Sequence, residues 1–553
     1  MASRKIFFLF LASIFWLLAS QCAQIVNPNG GPKDVKPPRT VKYFPDSAQT
    51  NFSAKNITIS FDEYIQLNDL QKQLVISPPM NVQPEVKAKG KILFIELKDS
   101  LRKNTTYTFN FGDAIRDFTE SNALENFQYV FSTGSYIDSL TLSGTVQNTF
   151  DLKTDKGILV MLYDTHDDSV PCKKLPSYFT KTNANGSYKI NNIRSGTYKA
   201  FALKDANNNY LYDVPTESIA FSDTLINIKK NTSLNLSLFM EEPKKQKLLK
   251  VFFPEHGHLV FALARPMKNY LDFNFLSQKP KERVLVEHSK NNDTLHYWFV
   301  DDLVDTIKIE VSEEGKVIDT VRIKPITIEQ MKKNIRGDKW GLKVNANLSK
   351  DKIFDLNKTL VFYFNHPIQS FNSQGIEIKN RNQHDCKFVL LDDEIRKSFI
   401  IKCKSDSAKT ENKMQAFPYD TGQYSIFIPP GIFTDIFGLT NDTVKLDFKT
   451  QEEKYYGTLK LTSKMKIRIK YILQLMNEKG EMFGYASSDK GVFSYQYLPP
   501  GSYKLRIIYD KNGDDKWTTG NYLEKKKPET VIYYSSPITI RSNWDLELDW
   551  KVE

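Results

Sequence analysis

The segment Gly186–Asn209 reads GSYKINNIRSGTYKAFALKDANNN, and a later segment, Gly491–Asp514, reads GVFSYQYLPPGSYKLRIIYDKNGD. The two align without a gap and share glycine, tyrosine, aspartate and asparagine at matching positions: Gly186 with Gly491, Gly196 with Gly501, Tyr198 with Tyr503, Asp205 with Asp510 and Asn207 with Asn512. Such ungapped self-similarity predicts two copies of one domain type. Within each copy, glycines separate short runs rich in aromatic and aliphatic residues, as in strands joined by tight turns.

The same strand pattern extends over the rest of the chain. Ile57, Ile59 and Phe61 alternate with polar residues, and Tyr107, Phe109 and Phe111 do the same. A period of two is typical of a strand with one buried face. Helical periodicity is confined to short stretches, around Gln71 and around residues 328–334. The 553 residues, with 37 Phe and 27 Tyr, therefore predict an all-β protein built as a row of sandwich domains.

The amino terminus indicates export. Two basic residues precede an apolar run from Ile6 to Ala19, which is too short and has the wrong flanks for a membrane-spanning helix. We expect a signal peptide over residues 1–21 and lipidation at Cys22, although Gln21 departs from the small residue usual before a lipidated cysteine. A simple secreted protein is the alternative. Residues 22–38 contain four prolines and two glycines, and predict a tether between the lipid and the first folded domain.

Several short motifs resemble two known domain types. Phe61-Asp62-Glu63 and Asn104-Thr105-Thr106-Tyr107 resemble the bacterial Ig-like domain of S-layer and envelope proteins. Similarity to the Cna-B or carboxypeptidase-regulatory prealbumin-like sandwich lies in Ser143-Gly144-Thr145-Val146, Asn185-Gly186-Ser187-Tyr188 and Gly196-Thr197-Tyr198. The whole arrangement, including Gly30-Gly31-Pro32-Lys33-Asp34, resembles the Ig-like-domain lipoproteins of Bacteroidota. The resemblance implies an outer-membrane lipid anchor, with the cell surface favoured over the periplasmic face.

These patterns predict five domains after the tether. Domain 1 (39–134), domain 3 (241–330, the weakest match) and domain 4 (331–451) are expected to be Ig-like. Domain 2 (135–240) and domain 5 (452–553) are the two prealbumin-like copies. The resemblance also implies O-glycosylation, because Asp-Ser/Thr followed by a small or aliphatic residue recurs along the chain. The hydroxyls in that pattern are Ser47, Ser139, Thr224, Thr294, Thr306, Thr320, Ser407 and Thr443.

The repeated domains each contain a loop of alternating oxygen-bearing side chains. In domain 2 the loop contains Asp205, Asn207, Asn209 and Asp213, followed by Glu217; in domain 5 it contains Asp510, Asn512 and Asp514, followed by Glu529. Calcium takes six to eight oxygen ligands, and alternate positions curl a short backbone around such an ion. The alternative is a turn in which these side chains cap their own backbone. The sequence requires no cofactor, and calcium is the single candidate.

Cysteine and charge add two expectations. If the runs around Lys387–Leu391 and Ser398–Lys402 form a hairpin turning near Glu394, Cys386 and Cys403 lie opposite each other, and a disulfide is plausible outside the cytoplasm. Cys172 would then be a lone thiol. The formal charge of +11 is dispersed in short runs, which argues against nucleic acid as a partner.

No enzymatic motif is present: the chain has no nucleophile elbow, phosphate-binding loop, zinc-protease signature or Cys-x-x-Cys pair. His256 and His258 lie two apart, but without a carboxylate or cysteine at ligand spacing we expect them at the surface. We therefore expect no catalytic residues. The predicted function is a non-enzymatic scaffold or accessory subunit of an envelope machine for outer-membrane protein assembly, secretion or uptake. The partners would be outer-membrane lipid and an envelope or barrel protein complex.

A second class is a carbohydrate- or matrix-binding adhesin. It would use exposed aromatic side chains as stacking platforms, with Trp517, Tyr533 and Tyr534 as the candidates.

Overall fold

A computed structural model describes residues 34–553, apart from 126, 283, 335–339, 381–386, 405–413, 417–420, 465–468 and 553. Strands dominate among these residues, whose α-helices are the short α1 (Leu70–Gln73), α2 (Val170–Lys173) and α3 (Ile328–Asn334). The all-β prediction is thereby confirmed. Within the described residues, no helix is both long and apolar enough to cross a membrane. The signal peptide and Cys22 lie outside the described residues.

The chain forms two compact units. Of the described residues, the first unit contains those up to Val146, together with 155–211 and 224–236. The second contains 147–154, 212–223 and everything from Ser237 onward. Three short pieces of predicted domain 2 thus group with domains 3, 4 and 5.

Domain 1 has nine strands: β1 (Thr40–Phe44), β2 (Asn56–Phe61), β3 (Ile65–Leu67), β4 (Val75–Ser77), β5 (Glu85–Lys89), β6 (Ile92–Glu96), β7 (Thr106–Asn110), β8 (Ile115–Asp117) and β9 (Gln128–Ser132). One sheet has the order β1-β2-β6-β5 and another β4-β7-β9, with β3 pairing β8. Ile57 and Ile59 from the first sheet and Phe109 and Phe131 from the second are fully buried in one core. The alternation in the sequence therefore produces a sandwich with a shared apolar centre.

Domain 2 contributes β10 (Leu140–Asn148), β11 (Leu159–Tyr163), β12 (Tyr178–Lys181), β13 (Ser187–Ile193), β14 (Gly196–Lys204), β15 (Ser218–Phe221), β16 (Ile226–Ile228), β17 (Thr232–Ser233) and β18 (Leu236–Met240). In the first unit, β10 pairs antiparallel with β13 and parallel with β17. β11 lies between β12 and β14, and β16 pairs with β14. In the second unit, β15 pairs with the end of β18.

Domain 3 contains β19 (Leu248–Glu255), β20 (His258–Leu263), β21 (Leu271–Phe275), β22 (Leu285–His288), β23 (Thr294–Trp298), β24 (Ile307–Glu313) and β25 (Lys316–Ile323). These strands form sheets of order β19-β20-β23-β22 and β21-β24-β25. Leu259, Phe261, Ile307 and Ile309 are fully buried between the two sheets. The tight reversal between β19 and β20 passes through Gly257, which places Glu255, His256 and His258 together at one end of the domain.

Domain 4 contains β26 (Val344–Ala346), β27 (Ile353–Phe354), β28 (Val361–Phe364), β29 (Ile368–Phe371), β30 (Glu377–Asn380), β31 (Phe388–Asp392), β32 (Ser398–Lys404), β33 (Met414–Ala416), β34 (Gln423–Ile428), β35 (Phe433–Asp435) and β36 (Val444–Thr450). The sheets have the orders β26-β28-β32-β31, with β33 on β32, and β27-β36-β34-β30, and β29 pairs β35. His366 lies between β28 and β29, and Asp435 ends β35.

The hairpin predicted around the two cysteines is formed by β31 and β32. Its register places Phe388 opposite Cys403. Cys386 itself lies outside the described residues, and the disulfide stays a prediction. Cys172 is half-buried and is not in a disulfide within the described part of the chain.

Domain 5 contains β37 (Gly457–Lys464), β38 (Lys470–Met476), β39 (Met482–Ser488), β40 (Val492–Leu498), β41 (Gly501–Asp510), β42 (Val531–Tyr533), β43 (Ile538–Ile540) and β44 (Asp545–Lys551). β37 pairs antiparallel with β40 and parallel with β44. β38 lies between β39 and β41, and β43 pairs with β41. The neighbours of β10, the position of β11 between β12 and β14, and the pairing of β16 with β14 all recur here, with β13 and β14 replaced by β40 and β41.

The repeated glycines and tyrosines occupy equivalent turns in the two copies. Gly186 has φ 72° and Gly491 has φ 71°, a region that glycine enters without steric cost. The Tyr198 hydroxyl donates to the Arg194 carbonyl at 2.8 Å, and the Tyr503 hydroxyl donates to the Pro499 carbonyl at 2.8 Å. Each tyrosine thus fills the core and closes the turn that precedes its own strand.

Candidate functional site

Four histidines and two carboxylates meet where the β19–β20 end of domain 3 packs against domain 4, within the second unit. We call this cluster the histidine junction; its members are Glu255, His256, His258, His296, His366 and Asp435. All six residues lie in turns or at strand ends, apart from His296 in the middle of β23. The turn at Gly257 therefore positions Glu255, His256 and His258, and β23 adds His296. In domain 4, His366 follows β28 and Asp435 ends β35.

His366 is the centre of the junction. Its Nδ1 atom lies 2.6 Å from Oδ2 of Asp435, and its Nε2 atom lies 3.1 Å from Oε2 of Glu255. The side chains of His366 and Asp435 are fully buried. The other oxygen of Asp435, Oδ1, accepts the backbone N–H groups of Phe437 at 2.9 Å and Leu439 at 2.8 Å. A single imidazole thus joins a carboxylate of its own domain to one of the neighbouring domain.

Electrostatics fix the charge of this triad. Burial alone would lower the pKa of His366, but its bonds to Asp435 and Glu255 outweigh burial and raise the pKa to about 9. Burial would raise the pKa of Glu255, but the imidazoles of His258 and His366 lower it to about 2. At neutral pH the junction therefore contains a buried imidazolium between two carboxylates, which satisfies the requirement that buried charges be paired.

The second histidine pair is neutral at the same pH. Nε2 of His258 lies 2.8 Å from Nδ1 of His296, so that one ring donates a hydrogen bond and the other accepts it. Burial lowers the pKa of His258, with Glu255 opposing, and burial also lowers the pKa of His296, with Glu287 opposing. Since both rings would carry charge when protonated, this short contact depends on at least one of them staying neutral.

Aromatic rings close the junction against water. His258 stacks on Trp298 with ring centroids 3.6 Å apart, and Phe437 lies edge-on to His366 at 5.2 Å. The Trp298 indole N–H donates to Glu287 at 3.1 Å, and Glu287 also pairs with Lys397 of domain 4 at 2.9 Å. Apolar cover of this kind strengthens the charge interactions beneath it.

The expectation that His256 and His258 lie at the surface is wrong. Their exposed fractions are 2% and 8%. His256 Nδ1 contacts the Ile326 carbonyl at 3.1 Å, and Phe437 of domain 4 covers the ring. The nearby carboxylate is Glu255, which the sequence interpretation overlooked. His296 lies 38 positions after its partner His258, and His366 lies 111 positions after its partner Glu255. A His-x-His pair directly after a strand end was the one local signal available.

The side chains of the junction can share protons and can hold domain 3 and domain 4 together. Hydroxyl and thiol groups are not among its members, and its charges already satisfy one another. Within the described part of the chain, no group of three or more His, Cys, Asp or Glu side chains is arranged to hold a metal ion.

The two predicted calcium loops have one geometry. Asp205 accepts the N–H groups of Asn208 and Tyr210 at 2.7 and 2.9 Å, and Asp510 accepts those of Gly513 and Asp515 at 2.7 and 3.0 Å. Further along, each loop caps two more backbone N–H groups at matching positions. In domain 2, Asn207 caps Asn209 and Asn209 caps Leu211. In domain 5, Asn512 caps Asp514 and Asp514 caps Lys516. These are the self-capping turns given above as the alternative to calcium.

The following glutamates take up the same role. Glu217 accepts the N–H of Asp213 at 3.1 Å, and Glu529 accepts that of Thr518 at 2.9 Å. Burial raises the pKa of Glu529, with backbone hydrogen bonds from Thr518 and Lys511 opposing. The loops are therefore organised by their own backbone, and calcium binding stays a prediction.

Comparison with known proteins bears on the first domain. Residues 34–133 match the model of a family described as a bacterial Ig-like domain. This segment has the bacterial Ig-like fold. No curated protein matches the chain.

Among solved structures, the Bacillus anthracis TIE protein is 9% identical, with 95% of this chain and 76% of that one covered and a TM-score of 0.15. The major pilin subunit BcpA of Bacillus cereus is 11% identical over 75% of this chain and 99% of its own, with a TM-score of 0.14. The S-layer protein SbsC is 10% identical over 85% and 64%, also with a TM-score of 0.14. The Ig-like fold of domain 1 therefore rests on the family match.

The predicted stacking platforms lie inside the second unit. Trp517 packs on Phe150 with ring centroids 4.8 Å apart, and the Tyr533 hydroxyl donates to the Phe150 carbonyl at 3.2 Å. Tyr534 packs edge-on against Trp550 at 5.2 Å. The guanidinium of Arg506 lies 4.0 Å from the centre of the Phe150 ring and donates to the Tyr533 hydroxyl at 2.9 Å. Trp517 and Tyr533 therefore join the 147–154 segment to domain 5. All three predicted platforms are half-buried, so the sequence interpretation of them as exposed is wrong.

The hydroxyls of the proposed glycosylation pattern differ in exposure. Ser139, Thr224, Thr306, Thr320 and Thr443 are exposed, Ser47 and Thr294 are half-buried, and Ser407 lies outside the described residues. Thr294 also lies within β23, where it pairs with Ala262 of β20. A modifying enzyme can reach exposed hydroxyls. Glycosylation stays a prediction, and the five exposed positions are the best candidates for it.

Proposed function

We propose that this chain is a non-enzymatic scaffold of the bacterial cell surface, held to the outer membrane by a lipid on Cys22. The observation that carries the proposal is the histidine junction, in which a buried imidazolium joins Glu255 of domain 3 to Asp435 of domain 4. The charged groups of the junction pair with one another and hold domain 3 against domain 4. A contact of that kind makes a stiff spacer, and an Ig-like fold at residues 34–133 is consistent with the same role.

Contacts within the second unit also support a scaffold. The second unit contains contacts between remote parts of the sequence, such as the Lys527–Asp223 ion pair at 2.6 Å and the hydrogen bond from Thr519 to the Met240 carbonyl at 2.6 Å. These contacts tie the 212–223 and 237–240 pieces of predicted domain 2 to domain 5. The proposed partner is an envelope complex for outer-membrane protein assembly, secretion or uptake, which the exposed faces of the sandwiches would bind.

The anchor and the partner are tested together. Cys22→Ser should move the protein from the membrane fraction to the soluble fraction, whereas Cys172→Ser should leave it in the membrane. Pull-down of the tagged chain from detergent-solubilised outer membranes should recover a stoichiometric envelope protein, and recovery of the chain alone contradicts the scaffold. Protease treatment of intact cells decides the leaflet, because domains on the surface are cleaved and periplasmic domains are protected.

A further inference from the structure

A polar cleft lies in the first unit, between the loop preceding β7 of domain 1 and the β13–β14 turn of domain 2. We call it the arginine cleft, because Arg102 and Arg194 both line it. Its volume of about 320 Å³ lies at the lower end of the range for small-molecule sites. The cleft is therefore of a size to take a single sugar unit or a molecule of similar bulk.

The two arginines are held by their backbones while their side chains face solvent. The N–H of Arg102 donates to the Tyr107 hydroxyl at 2.9 Å, and the N–H of Arg194 donates to the Tyr178 hydroxyl at 3.3 Å. Both residues are exposed, and within the described part of the chain no carboxylate pairs with either guanidinium. An unpaired guanidinium presents a planar set of donors that suits a carboxylate or sulfate group.

The rest of the lining is suited to hydroxyl groups. It offers the side chains of Asn104, Ser195 and Thr197, and the carboxylate of Asp164, which accepts a hydrogen bond from Ser177 at 2.8 Å. The rings of Tyr178 and Tyr198 are buried, so the cleft gives an apolar ligand little surface to cover. We propose that the arginine cleft binds an acidic saccharide, a sugar unit that carries a carboxylate or a sulfate group.

The cleft is held in shape without a ligand. Thr106, which follows the lining residue Thr105, donates to Asp138 at 2.9 Å, and Asn192 donates to the Asp138 carbonyl at 2.8 Å. Thr108 in turn donates to Asn192 at 3.1 Å. A preformed site loses little conformational freedom on binding, which favours affinity for a small ligand. The proposal does not depend on the lipid anchor or on an envelope partner.

The test is calorimetric titration of the full chain with four probes: a sulfated chondroitin disaccharide, glucuronate, maltose and sodium sulfate. We expect the two acidic sugars to bind, the disaccharide more tightly than sulfate, and maltose to give no heat. Arg102→Gln and Arg194→Gln should each weaken the disaccharide by about tenfold or more, because each removes a charge-assisted contact. Arg322→Gln, which removes an exposed arginine from the second unit, should leave the affinity unchanged.

Three results overturn the proposal: an absence of heat with both acidic sugars, wild-type affinity in both cleft variants, or sulfate binding as tightly as the disaccharide. The last would mean a simple anion site. Circular dichroism of each variant checks that the fold is kept, so that a lost affinity reports on the cleft and not on unfolding.

Discussion

The imidazole of His366 lies 2.6 Å from the carboxylate of Asp435, and both side chains are fully buried. His366 also reaches Glu255 of the neighbouring domain, so its proton is shared between two domains. Glu287, Lys397, His256, His258 and His296 are further titratable groups around this cluster, and Asp302 lies 3.8 Å from His256. The stability of the second unit should therefore depend on pH through the junction.

The alkaline side is governed by His366. Its pKa is raised to about 9, so its contribution is complete below pH 6.5 and is lost as the pH rises toward 9. The loss should be on the order of 3 kcal/mol, from about 1.4 kcal/mol per pKa unit. Urea unfolding followed by tryptophan fluorescence should show this decline, and His366→Gln should flatten it. His288→Gln, at an exposed histidine, should keep the wild-type profile; an alkaline decline that persists in His366→Gln contradicts the assignment.

The acid side has the opposite sign. The lowered pKa values of His258 and His296 mean that the unfolded chain binds protons more readily, so stability should fall as the pH drops below 6.5. Glu255 adds a further loss below pH 4.5, since its pKa is lowered to about 2. The same unfolding assay should therefore show maximal stability near pH 6.5. His296→Gln should reduce the loss between pH 6.5 and 5, and an unchanged slope there would refute the role of this pair.

The turn at Gly257 provides a steric test of the junction. A Cβ at this position, where φ is +67°, would collide with the Phe299 carbonyl and approach the Phe437 ring to 2.6 Å. Gly257→Ala should therefore cost at least about 3 kcal/mol, from overpacking and from backbone strain together. Gly315→Ala is the matched control in the same domain, because its φ is +73° and its Cβ would meet nothing within 4 Å. Equal losses in the two variants would mean that the junction tolerates the extra carbon.

Many of the turns and strands of domain 5 could be predicted from the sequence, but the histidine junction could not. Gly491 and Tyr503 follow local rules, because a turn needs a positive φ and a strand needs volume on its buried face. The contact between His366 and Glu255 follows no such rule. Each residue lies at the end of an ordinary strand, and their meeting depends on how two sandwiches pack, which leaves no periodic trace. For the same reason Trp517 was expected to be exposed, although Phe150 from another predicted domain covers it.

Tyr198 and Tyr503 occupy equivalent positions, so removing either hydroxyl should lower the free energy of unfolding by a similar amount. Tyr503→Phe keeps the ring in the core and removes the hydrogen bond to the Pro499 carbonyl, which should cost about 1 kcal/mol. Tyr198→Phe should cost a similar amount through the Arg194 carbonyl, because the geometry is the same. Tyr485→Phe, at a side chain that is 64% exposed, should change the stability little. Thermal melts of the three variants give the comparison, and a large difference between the two buried positions would contradict their equivalence.

A substitution at Asp510 tests how much this side chain stabilises the loop of domain 5 when no ion is bound. Its carboxylate caps the N–H groups of Gly513, Asp514 and Asp515, so Asp510→Ala should cost about 1–3 kcal/mol with EDTA present. Asp489→Ala, at an exposed aspartate of the same domain, should cost little. Melting the wild type with calcium chloride and with EDTA tests the calcium prediction separately. A midpoint raised by calcium in the wild type but not in Asp510→Ala supports an ion at this loop, whereas superimposable curves leave only the self-capped turn.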